Sequence, residues 1–172
     1  MGLDRRITKV AGVSAQTAAR AYQKRAEGAS LTADEREQAE EFEATIECMF
    51  LMAAVDGQVA DDEIAQLAGS LRAIMDTKGG REKVDIDQAL TSLSSALERD
   101  GWTARLDAVA ARLKNEEART FAFRLAAAVA FVDDHVAHAE AAAIDALSHA
   151  LGLTSDTSQQ ILHEVQETLF HG

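Results

Sequence analysis

The fold of this chain is decided by a stretch that occurs twice. Residues 47–67 read ECMFLMAAVDGQVADDEIAQL, and residues 124–144 read RLAAAVAFVDDHVAHAEAAAI. Each copy has the pattern of an apolar helix that ends at an Asp, a short turn around a Val, and a second helix with a Glu in its first turn. A shift of 77 positions superimposes the copies with these identical pairs: Ala53/Ala130, Val55/Val132, Asp56/Asp133, Val59/Val136, Ala60/Ala137, Glu63/Glu140 and Ala65/Ala142. The repeat, taken as residues 47–74 and 124–151, predicts two related helical hairpins.

Composition favours helix throughout the chain. Ala and Glu are abundant, runs of β-branched residues are absent, and none of the 172 residues is Pro. A chain of this length fits one domain and buries roughly 70% of its extended-chain surface. We therefore expect an all-α fold, a single compact bundle of seven to eight helices with no strand.

Local signals place the ends of the main helices. Thr32 and Glu35 form a capping-box pattern that predicts the start of a long helix over residues 33–55. Its counterpart in the second copy is predicted over residues 116–132. Asp100-Gly101 is expected to end the helix that precedes Trp102, and Gly152 the helix that follows the second acidic turn, with Ser155 or Asp156 capping the last helix.

Charge is unevenly distributed along the sequence. The chain has a net charge of −12, yet residues 1–29 hold six Lys or Arg against two acidic residues, so residues 30–172 carry −16. An acidic body repels nucleic acid and attracts cations. The basic segment can be a solvated helix face, or it can contact an anionic membrane surface or an acidic partner.

The sequence indicates a cytoplasmic location. Charges interrupt residues 1–29 throughout, so we expect no signal peptide, and no apolar run reaches the ~18–20 residues of a membrane span. The single cysteine, Cys48, lies in the most apolar stretch and is expected to be a buried hydrophobe.

The acidic residues of the two turns are candidate metal ligands. In each copy the Asp at a helix end and the Glu seven residues later can converge across the turn, beside the free carbonyls of the preceding helix. Pooling Asp56, Glu63, Asp133 and Glu140 would give an oxygen shell suited to Ca²⁺, Mg²⁺ or Mn²⁺. Four carboxylates in one place repel one another unless a cation or protons neutralise them. The alternative is structural, because an Asp in a turn and a Glu in a first helical turn are favourable without a ligand.

Two histidines extend the set of candidate ligands. His135 and His138 stand inside the second turn, beside Asp133 and Glu140. Imidazole together with carboxylate would favour Zn²⁺, whereas histidines of a polar turn are otherwise simply solvated.

These residues carry a family resemblance. The stretch AAVDGQV at residues 53–59 with Glu63, and AFVDDHV at residues 130–136 with Glu140, resemble the duplicated motif of the TerB-like domain of tellurite-resistance proteins. The resemblance covers roughly residues 40–170 and implies an all-helical fold of two related halves, with metal-binding acidic residues at Asp56, Glu63, Asp133 and Glu140. Asp134 departs from the motif, in which glycine is usual. Residues 1–32 are then a basic helical extension, and residues 33–172 are the TerB-like domain.

The function expected from these features is not catalytic. No Glu in the chain has a His three residues later, and no His-Glu-x-x-His or phosphate-binding loop is present. The resemblance implies a divalent-metal-binding module that acts with a protein partner in a stress-response or envelope-associated complex, in the cytoplasm or at the inner face of the membrane. The alternative is a metal-free interaction module that uses residues 1–29 and the acidic body. A homodimer is expected if residues 1–29 swap onto a neighbour instead of folding against their own acidic domain.

Overall fold

The computed structural model describes residues 7, 9–10, 14–26, 28–55, 61–75, 86–132, 135–136 and 138–171. Helix dominates this part of the chain, which confirms the all-α class. The helices are α1 (Ser14–Ala26), α2 (Ala33–Ala53), α3 (Asp61–Met75), α4 (Ile86–Asp100), α5 (Trp102–Arg112), α6 (Glu116–Ala130), α7 (His138–Ala150) and α8 (Ser155–Gln166), the last continuing into a π-helical turn, Glu167–His171.

Helix α2 is the centre of the bundle and contacts α1, α4, α5, α6 and α7. It begins as predicted, since the Thr32 hydroxyl accepts from the Glu35 N–H at 3.1 Å and the Glu35 carboxylate accepts from the Thr32 N–H at 3.1 Å. Every residue from 44 to 52 is buried, so this half of the helix has no solvent-facing side. An apolar run on all helical faces therefore marks the helix that the others surround.

Helix α6 has the equivalent place in the second half of the chain. Asn115 caps its first turn by accepting from the Ala118 N–H at 2.7 Å. Residues 122–130 are buried except for Arg124. The helix packs against α2, α7 and α8. The predicted pairing of the two apolar helices through the repeat is consistent with this arrangement.

Two glycines end helices where the sequence places them. Gly101 has φ 87° and Gly152 has φ 70°, a left-handed backbone that other residues rarely adopt. At the second site the Gly152 and Leu153 N–H groups donate to His149 and Ser148 carbonyls at 3.0 Å each. The predicted cap of the last helix was wrong by one residue, because Thr154 is the N-cap and accepts from the Thr157 N–H at 3.1 Å.

A two-residue strand pair follows α6. Strands β1 (Phe131–Val132) and β2 (His135–Val136) are antiparallel, with Phe131 opposite Val136 and Val132 opposite His135. The expectation of no strand was wrong at this point. Aromatic and β-branched residues on both sides of a two-residue connection favour a hairpin over a further helical turn.

Helix α1 packs along α2. Tyr22 lies against Phe42 with ring centroids 5.4 Å apart, and Lys24 contacts Glu35 at 2.6 Å. Arg25 forms an ion pair with Glu43 and lies 5.3 Å from the centroid of the Tyr22 ring. The basic helix thus folds against acidic α2, one of the two arrangements expected for it. The domain boundary at residues 32 and 33 stays a prediction.

None of the described helices is both long and apolar enough to cross a membrane.

Candidate functional site

The first acidic turn connects α2 to α3. Helix α2 ends at Ala53, and the Ala54 N–H still donates to the Phe50 carbonyl at 2.9 Å. Asp56, three residues after Ala53, lies outside the described residues. Glu63 is in the first turn of α3, as predicted for its backbone, but its side chain is outside the described part.

The second acidic turn connects α6 to α7 through the strand pair. Asp133 lies outside the described residues, between β1 and β2. Glu140 is in the first turn of α7 and is partly buried. His135 belongs to β2 and His138 begins α7, and the side chains of both lie outside the described part.

Of the four predicted ligands, only the Glu140 side chain is described. The described residues contain no group of three or more His, Cys, Asp and Glu that could hold a metal ion. Both acidic stretches have equivalent places along the chain, because each follows a helix of the buried core and Glu63 and Glu140 each lie in the first turn of the next helix. Each stretch supplies two carboxylates, and a set of four carboxylates fits a hard divalent cation by its chemistry.

A buried carboxylate that was not predicted from the sequence lies on α2, the helix that leads into the first acidic turn. The Glu47 side chain is 1% exposed in the middle of α2. Arg105 on α5 binds it through two hydrogen bonds, Nε to Oε2 at 2.7 Å and Nη2 to Oε1 at 2.9 Å. Arg112, seven residues further along the same helix, donates Nη1 to Oε1 at 3.2 Å. A bidentate guanidinium with a second donor satisfies a carboxylate that burial would otherwise make costly.

The signal for this cluster was present in the sequence. Glu47 interrupts the apolar run between Ile46 and Cys48, where an unpartnered charge would be unfavourable. Arg105 and Arg112 have the spacing of one helix face. The sequence alone does not show that α2 packs against α5. This packing brings together Glu47 and Arg105, which are 58 positions apart.

Hydrogen bonding and burial change the pKa values of two side chains at the cluster, Arg105 and Cys48. The hydrogen bonds to Glu47 raise the pKa of Arg105 above its already high usual value. Burial raises the pKa of the neighbouring Cys48 thiol. Cys48 is therefore a neutral, unreactive group inside the core, consistent with its expected role as a buried hydrophobe.

The ion pairs continue from Glu47 to the basic helix. Arg112 donates Nη2 to Glu43 Oε1 at 2.9 Å, and the other Glu43 oxygen is paired with Arg25 of α1. At the opposite end, Arg105 also contacts Asp100 Oδ2 at 3.2 Å. The network, defined here as Arg25, Glu43, Arg112, Glu47, Arg105 and Asp100, connects α1, α2, α4 and α5.

Trp102 holds the end of α2 that leads into the first acidic turn. Its indole Nε1 donates to the Leu51 carbonyl at 2.8 Å. Leu51 belongs to the last turn of α2, where carbonyls lack partners within the helix. Since Leu51 is five residues before Asp56, this hydrogen bond fixes the C-terminal turn of α2 against α5.

The second half of the chain has an ion pair at the equivalent position with the charges reversed. The repeat aligns Glu47 with Arg124, and Arg124 Nη1 donates to Glu164 Oε2 of α8 at 2.8 Å. This pair is more exposed, and the Arg124 guanidinium lowers the pKa of Glu164. The buried segments of the two helices, residues 44–52 and 122–130, therefore each contain one charged residue, and that residue pairs with a neighbouring helix.

These features define a class of protein: an all-α module whose sequence repeat divides it into two related halves. The family model described as "Tellurite resistance protein TerB" matches residues 42–163, and the chain belongs to the TerB family. The match confirms the family resemblance and includes Asp56, Glu63, Asp133 and Glu140, while α1 lies before it. No curated protein and no solved structure matched the chain.

Proposed function

We propose that this chain is a non-catalytic module that binds a divalent cation through Asp56, Glu63, Asp133 and Glu140. One observation carries the proposal: within the region that matches the TerB family, the repeat puts the same Asp and Glu at the same point of two helical hairpins. Recurrence of both acidic residues in each copy is what a site with ligands from both copies would need.

The physical support is the local charge. Each Asp follows the end of an apolar helix or its short strand extension, and each Glu stands in the first turn of the next helix. Carboxylates brought together beside a helix C-terminus need a cation, since the helix end is itself partly negative. Ca²⁺, Mn²⁺ and Mg²⁺ match an all-oxygen shell, and Zn²⁺ becomes the expected ion if His135 or His138 takes part.

The proposal includes a role in a protein complex of a stress or envelope response, in the cytoplasm and near the inner face of the membrane. Its support is the family and the basic character of residues 1–29. Lys24 and Arg25 are engaged with Glu35 and Glu43, whereas Lys9 and Arg20 are exposed. Among the described cations of this segment, Lys9 and Arg20 are the exposed ones without an ion pair, so they can meet an anionic surface. Comparing flotation with vesicles of anionic and of neutral lipid would test this contact.

A metal-free interaction module is the second candidate, favoured by the packing of α1 onto α2. In that case the acidic turns only connect helices, and a partner or a second copy binds through α1 and the acidic body. The two candidates differ in what happens when a metal ion is added.

The test is thermal unfolding of the full chain after chelator treatment, with Ca²⁺, Mg²⁺, Mn²⁺ or Zn²⁺ titrated separately. An ion at 100 times its Kd adds about 2.7 kcal/mol to the free energy of unfolding, which raises Tm by roughly 5–10 °C in a domain of this size. The double variant D56N/D133N should lose the shift. The control D107N/D145N removes the same charge from exposed positions on α5 and α7 and should keep it. No shift with any ion would contradict metal binding and leave the interaction module.

A further inference from the structure

A groove lies between the N-terminal parts of α2 and α6, far from the acidic turns. Its volume is about 800 Å³, and its walls come from residues 34–41 of α2 and residues 115–124, with Ala18 of α1 at one side. Since a helix rises 1.5 Å per residue, Glu41 is about 18 Å along α2 from Ala53, where the first acidic turn begins. The groove is therefore separated along α2 from the helix end that leads to the first acidic turn.

The walls of the groove are acidic. Asp34, Glu37, Glu41, Glu116 and Glu117 line it. Within the described part of the chain, none of these carboxylates forms an ion pair with Lys, Arg or His. The cation among the lining residues, Arg124, is paired with Glu164. A concave surface with these charges attracts a cationic ligand.

The charges also repel one another. Partial burial together with the neighbouring Glu37 and Glu117 raises the pKa of Glu41. The amide of Asn115 donates to Glu41 at 2.7 Å and offsets only part of this effect. A positive group placed beside Glu41 would relieve the repulsion and gain an ion pair shielded from water on one side.

The floor of the groove is apolar. Phe121 and Ala18 are partly exposed there, and Ala118 is buried beneath. A small polyvalent cation would leave this floor uncovered. An apolar side chain seated on Phe121, flanked by cations that reach the acidic walls, would use both parts of the surface.

Helix α1 already shows this mode of binding on the neighbouring face of α2. Tyr22 is its aromatic anchor on Phe42, and Lys24 and Arg25 pair with Glu35 and Glu43. The groove offers the same combination, an aromatic ring bordered by glutamates, with no element of the described chain lying on it. By this complementarity of charge and apolar surface we propose that the groove docks a basic amphipathic helix of a partner protein, with a large apolar residue on Phe121 and Lys or Arg directed to Glu37, Glu41 and Glu117.

The proposal is tested with a synthetic 16-residue Leu/Lys amphipathic helical peptide, titrated into the full chain by isothermal titration calorimetry at an ionic strength of about 0.1 M, where the Debye length is about 10 Å. We expect one peptide per chain. The variant E37Q/E41Q/E117Q should weaken binding at least about tenfold, the loss expected for ~1.4 kcal/mol of interaction. The variant T120R, which places a cation on the groove wall, should weaken it similarly.

The matched control is E98Q/D107N/D145N, which removes three charges from exposed positions on α4, α5 and α7. It should change the Kd by less than about twofold, because distant surface charges are screened. All of the substituted groove residues lie at the surface or are only partly buried, and unchanged circular dichroism would verify that each variant is folded.

Three outcomes would overturn the proposal. The first is an equal loss of affinity in the control variant, which would mean non-specific attraction to an acidic protein. The second is equal binding of a scrambled peptide of the same composition without an apolar face, or of spermine, which would mean that charge alone is recognised. The third is no binding of the amphipathic peptide. Because none of these variants touches the acidic turns, failure here is distinguishable from failure of metal binding.

Discussion

At the scale of single residues, Glu47 shows how one buried charge organises its surroundings. It lies in a helix segment that is otherwise apolar on every side, and Arg105 and Arg112 supply three hydrogen bonds to its two oxygens. A buried ion pair adds less to stability than its geometry suggests, because both charges lose hydration. We expect the ion pair to matter most for the specificity of helix packing, because α5 must sit at one position on α2 for the Glu47 carboxylate to have its hydrogen-bond partners.

Replacing Glu47 by Gln should lower the free energy of unfolding by about 2–3 kcal/mol. Breaking a buried pair costs ~3–5 kcal/mol, and the expected loss is smaller because Arg105 and Arg112 are 18% and 22% exposed and retain Asp100 and Glu43. Urea denaturation measures the change. E98Q on the exposed face of α4 is the control and should stay within about 0.5 kcal/mol of the parent. Equal stability of the two variants would contradict the role given to Glu47.

Glu41 and Glu164 should respond to pH in opposite directions. The pKa of Glu164 is lowered in the folded chain by Arg124, so its contribution to stability is present above the ordinary Glu pKa and is lost as pH falls through the lowered value. The pKa of Glu41 is raised by burial and by Glu37, so its ionisation opposes folding at neutral pH and not below the ordinary value.

The variants E41Q and R124Q separate these contributions. E41Q should be more stable than the parent at pH 7, and the difference should disappear near pH 4. R124Q should be less stable than the parent at pH 7 and approach it at low pH, because the partner carboxylate is then protonated. Denaturant unfolding across pH 3–7 measures both. A pH-independent difference for either variant would show that the residue acts by packing and not by charge.

At the scale of elements, helix ends and helix faces were predictable to different degrees. The capping box at Thr32 and the glycine stops at Gly101 and Gly152 are local, and the sequence placed them correctly. The start of α8 was misplaced because Thr154, Ser155 and Asp156 are all good N-caps in a row, and only the backbone conformation selects one of them. The contacts between α1 and α2 could not be predicted in the same way, because local sequence signals do not show which helix faces meet.

Helix α1 should contribute to stability through its aromatic anchor. Tyr22 is 8% exposed against Phe42, so Y22A should cost about 2–4 kcal/mol by lost contact and the cavity left behind. Thermal melts compared with R20A, an exposed position on the same helix, measure the effect. Sedimentation of a chain lacking residues 1–29 complements them, and we expect lower stability or self-association through the uncovered face of α2. Unchanged melting and sedimentation would contradict a structural role for α1.

At the scale of the whole molecule, the repeat predicted more than any single motif. Alignment of residues 47–67 with residues 124–144 predicted the all-α class and the two central helices, since both follow from periodicity and local stop signals. The acidic turns that it predicts lie largely outside the described residues and stay a prediction. The alignment did not predict the charge network of Glu47 or the groove between α2 and α6. Both arise where residues distant in sequence meet, Glu41 with Asn115 and Glu47 with Arg105, and no local pattern encodes such a meeting.

The central claim is that two acidic turns form one metal site. Equilibrium dialysis of the chelator-treated full chain against Mn²⁺, followed by elemental analysis, counts the ions directly. The account predicts one Mn²⁺ per chain, lost when either Asp56 or Asp133 is replaced by Asn and retained in D107N/D145N. Two ions per chain, each lost with its own Asp, would show separate sites, and no bound ion would contradict a metal site at the acidic turns altogether.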